Sequence, residues 1–183
     1  MDPRVRRTQE RLRATVFELA STMPLSQISV TDLCRAAGVT RDTFYRHAAG
    51  VTELVADALE AELQEVTAAL GADAAIGDGE RMLLGHVRTR AAVYRSAMEP
   101  LLAAPVRAGL ERSLRQGLEQ WVQRRPGIVP ATIAGDAVAV SLAVAYAAAG
   151  TVGAIERWLR TDMADLDRAV TVILAASAEW WQL

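Results

Sequence analysis

The residues best suited to chemistry with a partner are Arg41, Thr43, Tyr45 and His47, crowded into one short stretch. Arg41 can bond bidentately to guanine O6 and N7. Thr43 offers a hydroxyl, and its methyl can touch thymine. Tyr45 and His47 lie two apart and can both reach phosphate oxygens. Asp42 can bond a cytosine amino group but otherwise repels phosphate, so its part is ambiguous. Phe44, between them, is expected to point back to a core. The chemistry this set suits is reading the edges and backbone of duplex DNA.

Such side chains work only if short elements present them at a fixed angle. Ser29-Val-Thr-Asp32 resembles a capping box, with Ser29 as N-cap and Asp32 where a carboxylate suits the helix dipole. One helix of about two turns should follow, with Leu33, Ala36 and Ala37 facing inward. Gly38 should end it in the left-handed conformation that glycine adopts cheaply. Thr40 can then cap a second short helix over residues 41–47. Two short helices joined by a tight glycine turn, after a longer helix, form a helix-turn-helix. In that arrangement the second helix lies in a major groove while the first braces it.

Other chemistries find little support. The chain has no Lys, so Schiff-base and lysine-base catalysis are excluded. Its histidines, His47 and His86, and its one cysteine, Cys34, have no zinc spacing, so no metal is expected. Gly77-Asp-Gly79 continues into neither a P-loop nor a dinucleotide fingerprint, so no cofactor is expected either. The reading is that the protein is not an enzyme. Cys34 alone cannot form an intramolecular disulfide, which favours a reducing compartment. The run Met-Asp-Pro-Arg-Val-Arg-Arg has no apolar h-region, so no signal peptide is expected and the location is read as cytoplasmic.

Composition and periodicity set the fold class. Of 183 residues, 35 are alanine and only 5% are aromatic. Alanine favours helix and disfavours strand, so the chain leans all-α. Apolar stripes at helical spacing run through most of it. One joins Leu12, Val16, Leu19, Ala20 and Met23, up to Pro24. Another joins Leu83, Val87, Ala91, Tyr94 and Met98, and a last one runs from Leu166 to Trp181. Breaks are expected over residues 71–79, at Glu99-Pro100, at Ala104-Pro105 and over 126–130.

Charge is sorted along the chain. The net value is −2, which at face value disfavours a polyanion partner. Residues 1–50, however, carry eight Arg against five acidic residues, or +3. Residues 51–183 carry twelve Arg against seventeen acidic residues, or −5. A basic end on an acidic body is a plausible footprint for nucleic acid.

Residues 137–155 form a run of 19 without a charge, near the length of a spanning helix. Eight of the 19 are alanine, which contributes little to insertion, so a buried helix of a soluble protein is expected rather than a membrane span. A helix apolar all round must be buried on all sides. One short chain struggles to surround it, so a partner chain is its natural cover.

The segment Ile28-Ser-Val-Thr-Asp-Leu-Cys-Arg-Ala-Ala-Gly-Val-Thr-Arg-Asp-Thr-Phe-Tyr-Arg-His47 resembles the DNA-binding signature of TetR-family transcriptional regulators. The resemblance is specific at Ala37-Gly38-Val39-Thr40 and at Thr43-Phe44-Tyr45-Arg46-His47, and covers about the first third of the chain. It implies an all-α protein with an N-terminal three-helix helix-turn-helix domain, residues 1–50. A larger helical effector-binding and dimerisation domain, residues 51–183, would follow. It implies a homodimer on a near-palindromic double-stranded DNA operator, with Thr31, Arg41 and Thr43 at bases and Thr40, Tyr45 and His47 at the backbone. Two departures matter. Ala48 stands where the family usually has an aromatic residue, and Val51 where it usually has a phosphate-gripping Lys.

The resemblance also implies an unknown small-molecule effector in the body. Candidate wall residues are Met82, His86, Tyr94, Met98, Trp121 and Tyr146, a mix of apolar bulk and polar tips. Gly150, Gly153 and Trp158 on the long apolar helix, with Ile173 and Trp181 on the last, are candidates for a four-helix contact between two chains. The expected function is a repressor released from its operator by the effector. The competing reading is a ligand-binding helical dimer with a weakened DNA head.

Overall fold

A computed structural model describes residues 3–71 and 73–182. Among them are nine α-helices and three short 3₁₀ turns, with no strand beyond an isolated bridge between Met98 and Leu102. The helices are α1 (Pro3–Ala20), α2 (Val30–Ala37), α3 (Arg41–Tyr45), α4 (Val51–Thr67), α5 (Ile76–Thr89), α6 (Ala91–Ser96), α7 (Ala104–Arg124), α8 (Ala137–Trp158) and α9 (Leu166–Ala176). The all-α expectation holds.

The chain divides into two compact units. The first comprises Met1–Ala61 with Arg90–Gly109. Its core is built on the α1 stripe: Leu12, Val16 and Ala20 are buried, i, i+4 and i+8 on one face. α2 and α6 both pack on α1, and α3 packs on α2. Val93 and Tyr94 of α6 are buried. Arg90, just before α6, lays its guanidinium over the Phe17 ring at 4.6 Å, a cation–π contact within this unit. Arg4, Arg6 and Arg7 belong to the exposed first turns of α1.

The second unit comprises Glu62–Thr89 with Leu110–Leu183. Here α5 packs along α9, and α8 also meets α9. The α5–α9 approach is close at Gly77, where a Cβ would lie 3.3 Å from Leu174 Cδ1. Arg81 of α5 also pairs with Asp167 of α9. Leu118, Trp121 and Val122 of α7 and Val144 and Ala148 of α8 share one cluster with Trp181. Asp136 caps α8, accepting from the Val138 and Ala139 N–H groups at 2.9 and 3.1 Å.

Several elements differ from the periodicity. The stripe from Leu83 to Met98 is not one helix. It breaks at Arg90, so that Leu83 and Val87 serve the second unit and Tyr94 the first. α5 begins at Ile76, taking in Gly77 and Gly79, because Asp78 turns back to accept from the Ala75 N–H at 3.1 Å. α9 ends at Ala176 rather than near Trp181: Ser177 is extended, with φ −82° and ψ 156°. The short turn after it stacks Trp180 on Trp181 at 4.0 Å and sets Trp181 5.9 Å from Trp121.

The long apolar helix α8 is not buried on all sides by its own chain. Only 28% of its most apolar stretch is buried. Val144, Ala148, Thr151, Val152 and Ile155 face inward. Val138, Leu142 and Tyr146 stand out at 70%, 66% and 82% exposure, on a face continued by the exposed Gly150 and Gly153.

Candidate functional site

The first candidate site rises from α2 and α3. Ser29 caps α2, its Oγ accepting from the Asp32 N–H at 3.0 Å and donating to Asp32 Oδ2 at 2.5 Å. That hydroxyl holds the Asp32 carboxyl below its ordinary range, helped by Arg35, whose Nη2 lies 2.8 Å from Oδ1. Gly38 follows α2 at φ 62° and ψ 40°. Its Cβ would meet nothing within 4 Å, so the backbone angle and not crowding calls for glycine there. Val39 N–H reaches Cys34 O at 3.0 Å and Gly38 N–H reaches Arg35 O at 3.3 Å, which closes the turn. Leu33 and Ala37 face the core as expected, but Cys34 joins them and Ala36 is exposed. Burial raises the Cys34 thiol pKa, which makes it less reactive.

Thr40 caps α3, its Oγ1 accepting from the Thr43 N–H at 3.2 Å. α3 is shorter than expected, ending at Tyr45, with Arg46 and His47 in the turn that follows. Phe44 is fully buried, which anchors α3 and turns its other face outward. Thr31, Thr40, Arg41 and Tyr45 are exposed, and Thr43 and His47 are half-buried. These are the six positions singled out in the sequence, and all retain solvent access.

Asp42 has a local partner on this face. Its Oδ2 lies 3.3 Å from Arg46 Nη2, so its charge is met locally. The same Arg46 Nη2 donates to Thr43 Oγ1 at 3.2 Å, and Thr43 Oγ1 lies 2.9 Å from Thr40 Oγ1. Among the described residues Arg41 has no ion pair, leaving its guanidinium available. Arg46 is thus a bracing residue that sequence reading passed over; the i,i+4 spacing from Asp42 was the available signal. At the two departures, Ala48 and Val51 are both buried, and neither offers a polar group.

The second candidate site is a cavity of about 460 Å³ within the second unit. Leu63, Gln64 and Thr67 of α4, Ile76, Glu80 and Leu83 of α5, and Ser113, Leu114, Leu118 and Trp121 of α7 line it. Three buried polar atoms of this lining have no hydrogen-bond partner: Glu80 Oε2, Ser113 Oγ and Trp121 Nε1. Glu80 is 8% exposed, and burial pushes its carboxyl up to about 7.

Of the six wall residues expected from sequence, Trp121 lines this cavity and the other five do not. His86 is buried on α5 with Nδ1 3.8 Å from Glu62 Oε2. Met82 is half-buried on α5 outside the lining. Tyr94 and Met98 belong to the first unit, and Tyr94 is sealed in its core. Tyr146 stands on the exposed face of α8. Glu80 was passed over because a carboxylate between Gly79 and Arg81 reads as a solvated charge. Of the five interface candidates, Gly150 and Gly153 lie on the exposed α8 face and Trp158 is half-buried. Ile173 and Trp181 are buried inside their own unit.

The architecture is a capped helix-turn-helix and a helical body with a cavity. Solved structures share its fold across nearly the whole chain. The dihydroxyacetone kinase operon activator DhaS superposes with a TM-score of 0.66 at 16% identity, covering 92% of this chain and 93% of its own. A TetR transcriptional regulator from Rhodococcus sp. RHA1 gives 0.63 at 18%, with 92% and 93% covered. A TetR-family transcriptional regulator from Streptomyces coelicolor gives 0.61 at 13%, with 91% and 79% covered. No family model matches the sequence, and no curated protein does. The fold is therefore that of the TetR-type transcriptional regulators.

Proposed function

We propose that this protein is a TetR-family, sequence-specific DNA-binding transcriptional regulator and not an enzyme. Residues 1–50 form the reading head and residues 51–183 the effector-binding and dimerising body. The observation that carries this is the α2–α3 unit, in which the Ser29 and Thr40 caps, the Gly38 turn and the buried Phe44 hold Arg41, Thr43 and Tyr45 outward. Arg41 and Thr43, with Thr31, read bases; Thr40, Tyr45 and His47 hold the backbone.

The working form is a homodimer in the cytoplasm. The exposed apolar face of α8, with Val172 of α9 also half exposed, is the surface a second copy would cover. Under two-fold symmetry each exposed side chain counts twice, and each fully buried one stabilises by roughly 1.5–3 kcal/mol. The same cover removes the need for a membrane around α8.

The regulator is a repressor released by a small molecule in the α4–α5–α7 cavity. The effector acts by binding the DNA-incompetent state better, which shifts the population away from the operator. α4 is the element suited to carry the change, since one continuous helix starts next to the reading head at Val51 and lines the cavity at Leu63, Gln64 and Thr67. A gel shift against the DNA beside its own gene tests the reading. A retarded, salt-sensitive complex is expected, and no complex at low salt overturns it.

A second reading has one observation in its favour. Val51, where the resemblance leads one to expect a phosphate-gripping Lys, is buried, and the first turn of α4 carries Glu53 instead of a cation. A ligand-binding helical dimer with a weakened DNA head would show the dimer and the ligand but no specific complex.

A further inference from the structure

We infer that the cavity takes a lipophilic amine, an apolar body carrying a protonated nitrogen whose N–H donates to Glu80. This deepens the effector reading and rests on it.

The shape and lining define the apolar part. About 460 Å³ lies between three helices whose inward residues include Leu63, Leu83, Leu114 and Leu118. A cavity walled this way favours a hydrocarbon body, because transfer from water scales with the apolar area removed. Its size is enough for a chain of several carbons.

Glu80 defines the polar part. A buried carboxyl is normally met by a donor or a cation, because leaving it unmade is costly. Here Oε2 is buried and has no partner, while the residue as a whole is 92% buried from its 8% exposure. Burial is the cause of its raised pKa. The cation behind the lining, Arg125, is turned to other groups: it lies over the Trp121 ring at 5.0 Å and donates to Ala74 O at 3.1 Å, and no ion pair joins it to Glu80 among the described residues. Arg124, the one basic residue on the lining, is exposed and reaches Gln120 at 3.4 Å rather than Glu80. In the ionised form Oε2 lacks a donor, and a positively charged donor gains most, since it also favours that ionised form and charge-assisted hydrogen bonds are about twice as strong as neutral ones. An anionic ligand would meet the same carboxylate as a repulsion. Ser113 Oγ and Trp121 Nε1, both buried without partners, offer a further hydroxyl and a further N–H to polar atoms on the ligand.

Three probes of one chain length separate the head groups: n-octylamine, n-octanol and octanoate. Titration calorimetry of the whole protein without DNA should find octylamine binding about tenfold or more tighter than octanol, and octanoate weakest. Glu80→Gln keeps the shape and removes the charge. It should lose that tenfold preference while binding octanol within about twofold of wild type. Equal binding of amine and alcohol to wild type, tighter binding of octanoate, or no binding of any probe at millimolar concentration overturns the proposal. So does an amine preference that survives in Glu80→Gln. The wild-type comparison decides the matter even if the variant fails to fold. A gel shift run in parallel keeps the two readings apart. Lost amine selectivity with DNA binding intact removes only the ligand class, and absent DNA binding with amine selectivity intact removes only the regulator.

Discussion

Phe44 and Tyr45 are neighbours in sequence with opposite surroundings: Phe44 is fully buried and Tyr45 is 52% exposed, their rings meeting edge to face at 5.3 Å and 78°. The buried ring fixes the roll of α3 about its axis. The exposed ring is thereby aimed outward, braced at its base by the edge-to-face contact with Phe44. Structure and function are divided between two adjacent side chains.

Truncating each should therefore give different losses. Phe44→Ala removes a fully buried aromatic and should cost roughly 3–5 kcal/mol of stability. Tyr45→Ala should change stability by less than about 1 kcal/mol. Urea unfolding of the two variants checks this, and similar losses would mean that α3 is not anchored through Phe44.

The turn before α3 gives a second test. Gly38 sits at φ 62° with open space around it, so Gly38→Ala introduces backbone strain and no clash. A loss of roughly 1–2 kcal/mol is expected. Gly38→Asn should lose less, because Asn tolerates this region better. Chemical denaturation of both variants would show equal losses if the left-handed angle were not the cause.

Glu80 predicts a pH dependence with a definite sign. Its carboxyl is raised from an ordinary 4.5 to about 7 by burial, so folding opposes its ionisation. Below about pH 4.5 the group is neutral in both folded and unfolded chains and costs nothing. As pH rises from 4.5 towards 7 the unfolded chain ionises first, and stability falls by an amount on the order of 3 kcal/mol. Glu80→Gln should flatten that decline in melting experiments from pH 4.5 to 8. A wild-type stability that rises steadily across the same window, with the variant unchanged, would contradict it.

The α8 face predicts an oligomeric state. Leu142→Glu places a charge at the centre of the exposed apolar stripe. Sedimentation should show the wild type as a dimer and the variant as a folded monomer at micromolar concentration. A monomeric wild type would leave the α8 face unexplained by self-association.

What was legible in the sequence was what local chemistry determines. Ser29, Gly38 and Thr40 act through groups at most five positions away, so the caps and the turn could be read directly. Phe44 could be placed inward from its position between polar neighbours. Less legible was anything set by a distant partner. Apolar periodicity from Leu83 to Met98 is continuous, yet the chain bends at Arg90 and divides the stripe between two units. The same pattern ran α9 on to Trp181, although Ser177 stops it. Periodicity says that a face is covered and not by what. Glu80 is the sharpest instance: nothing beside it in the chain marks it as buried, and only the meeting of α4, α5 and α7 makes it so.

The most direct test of the account is operator binding by wild type, Arg41→Ala and Tyr45→Ala, measured across single-base variants of the DNA beside the gene. Arg41→Ala should relax preference at one operator position by roughly 1–3 kcal/mol, while Tyr45→Ala should weaken binding to all sequences alike. Unchanged binding by both variants would contradict the account, because α3 would then not be the element that reads DNA.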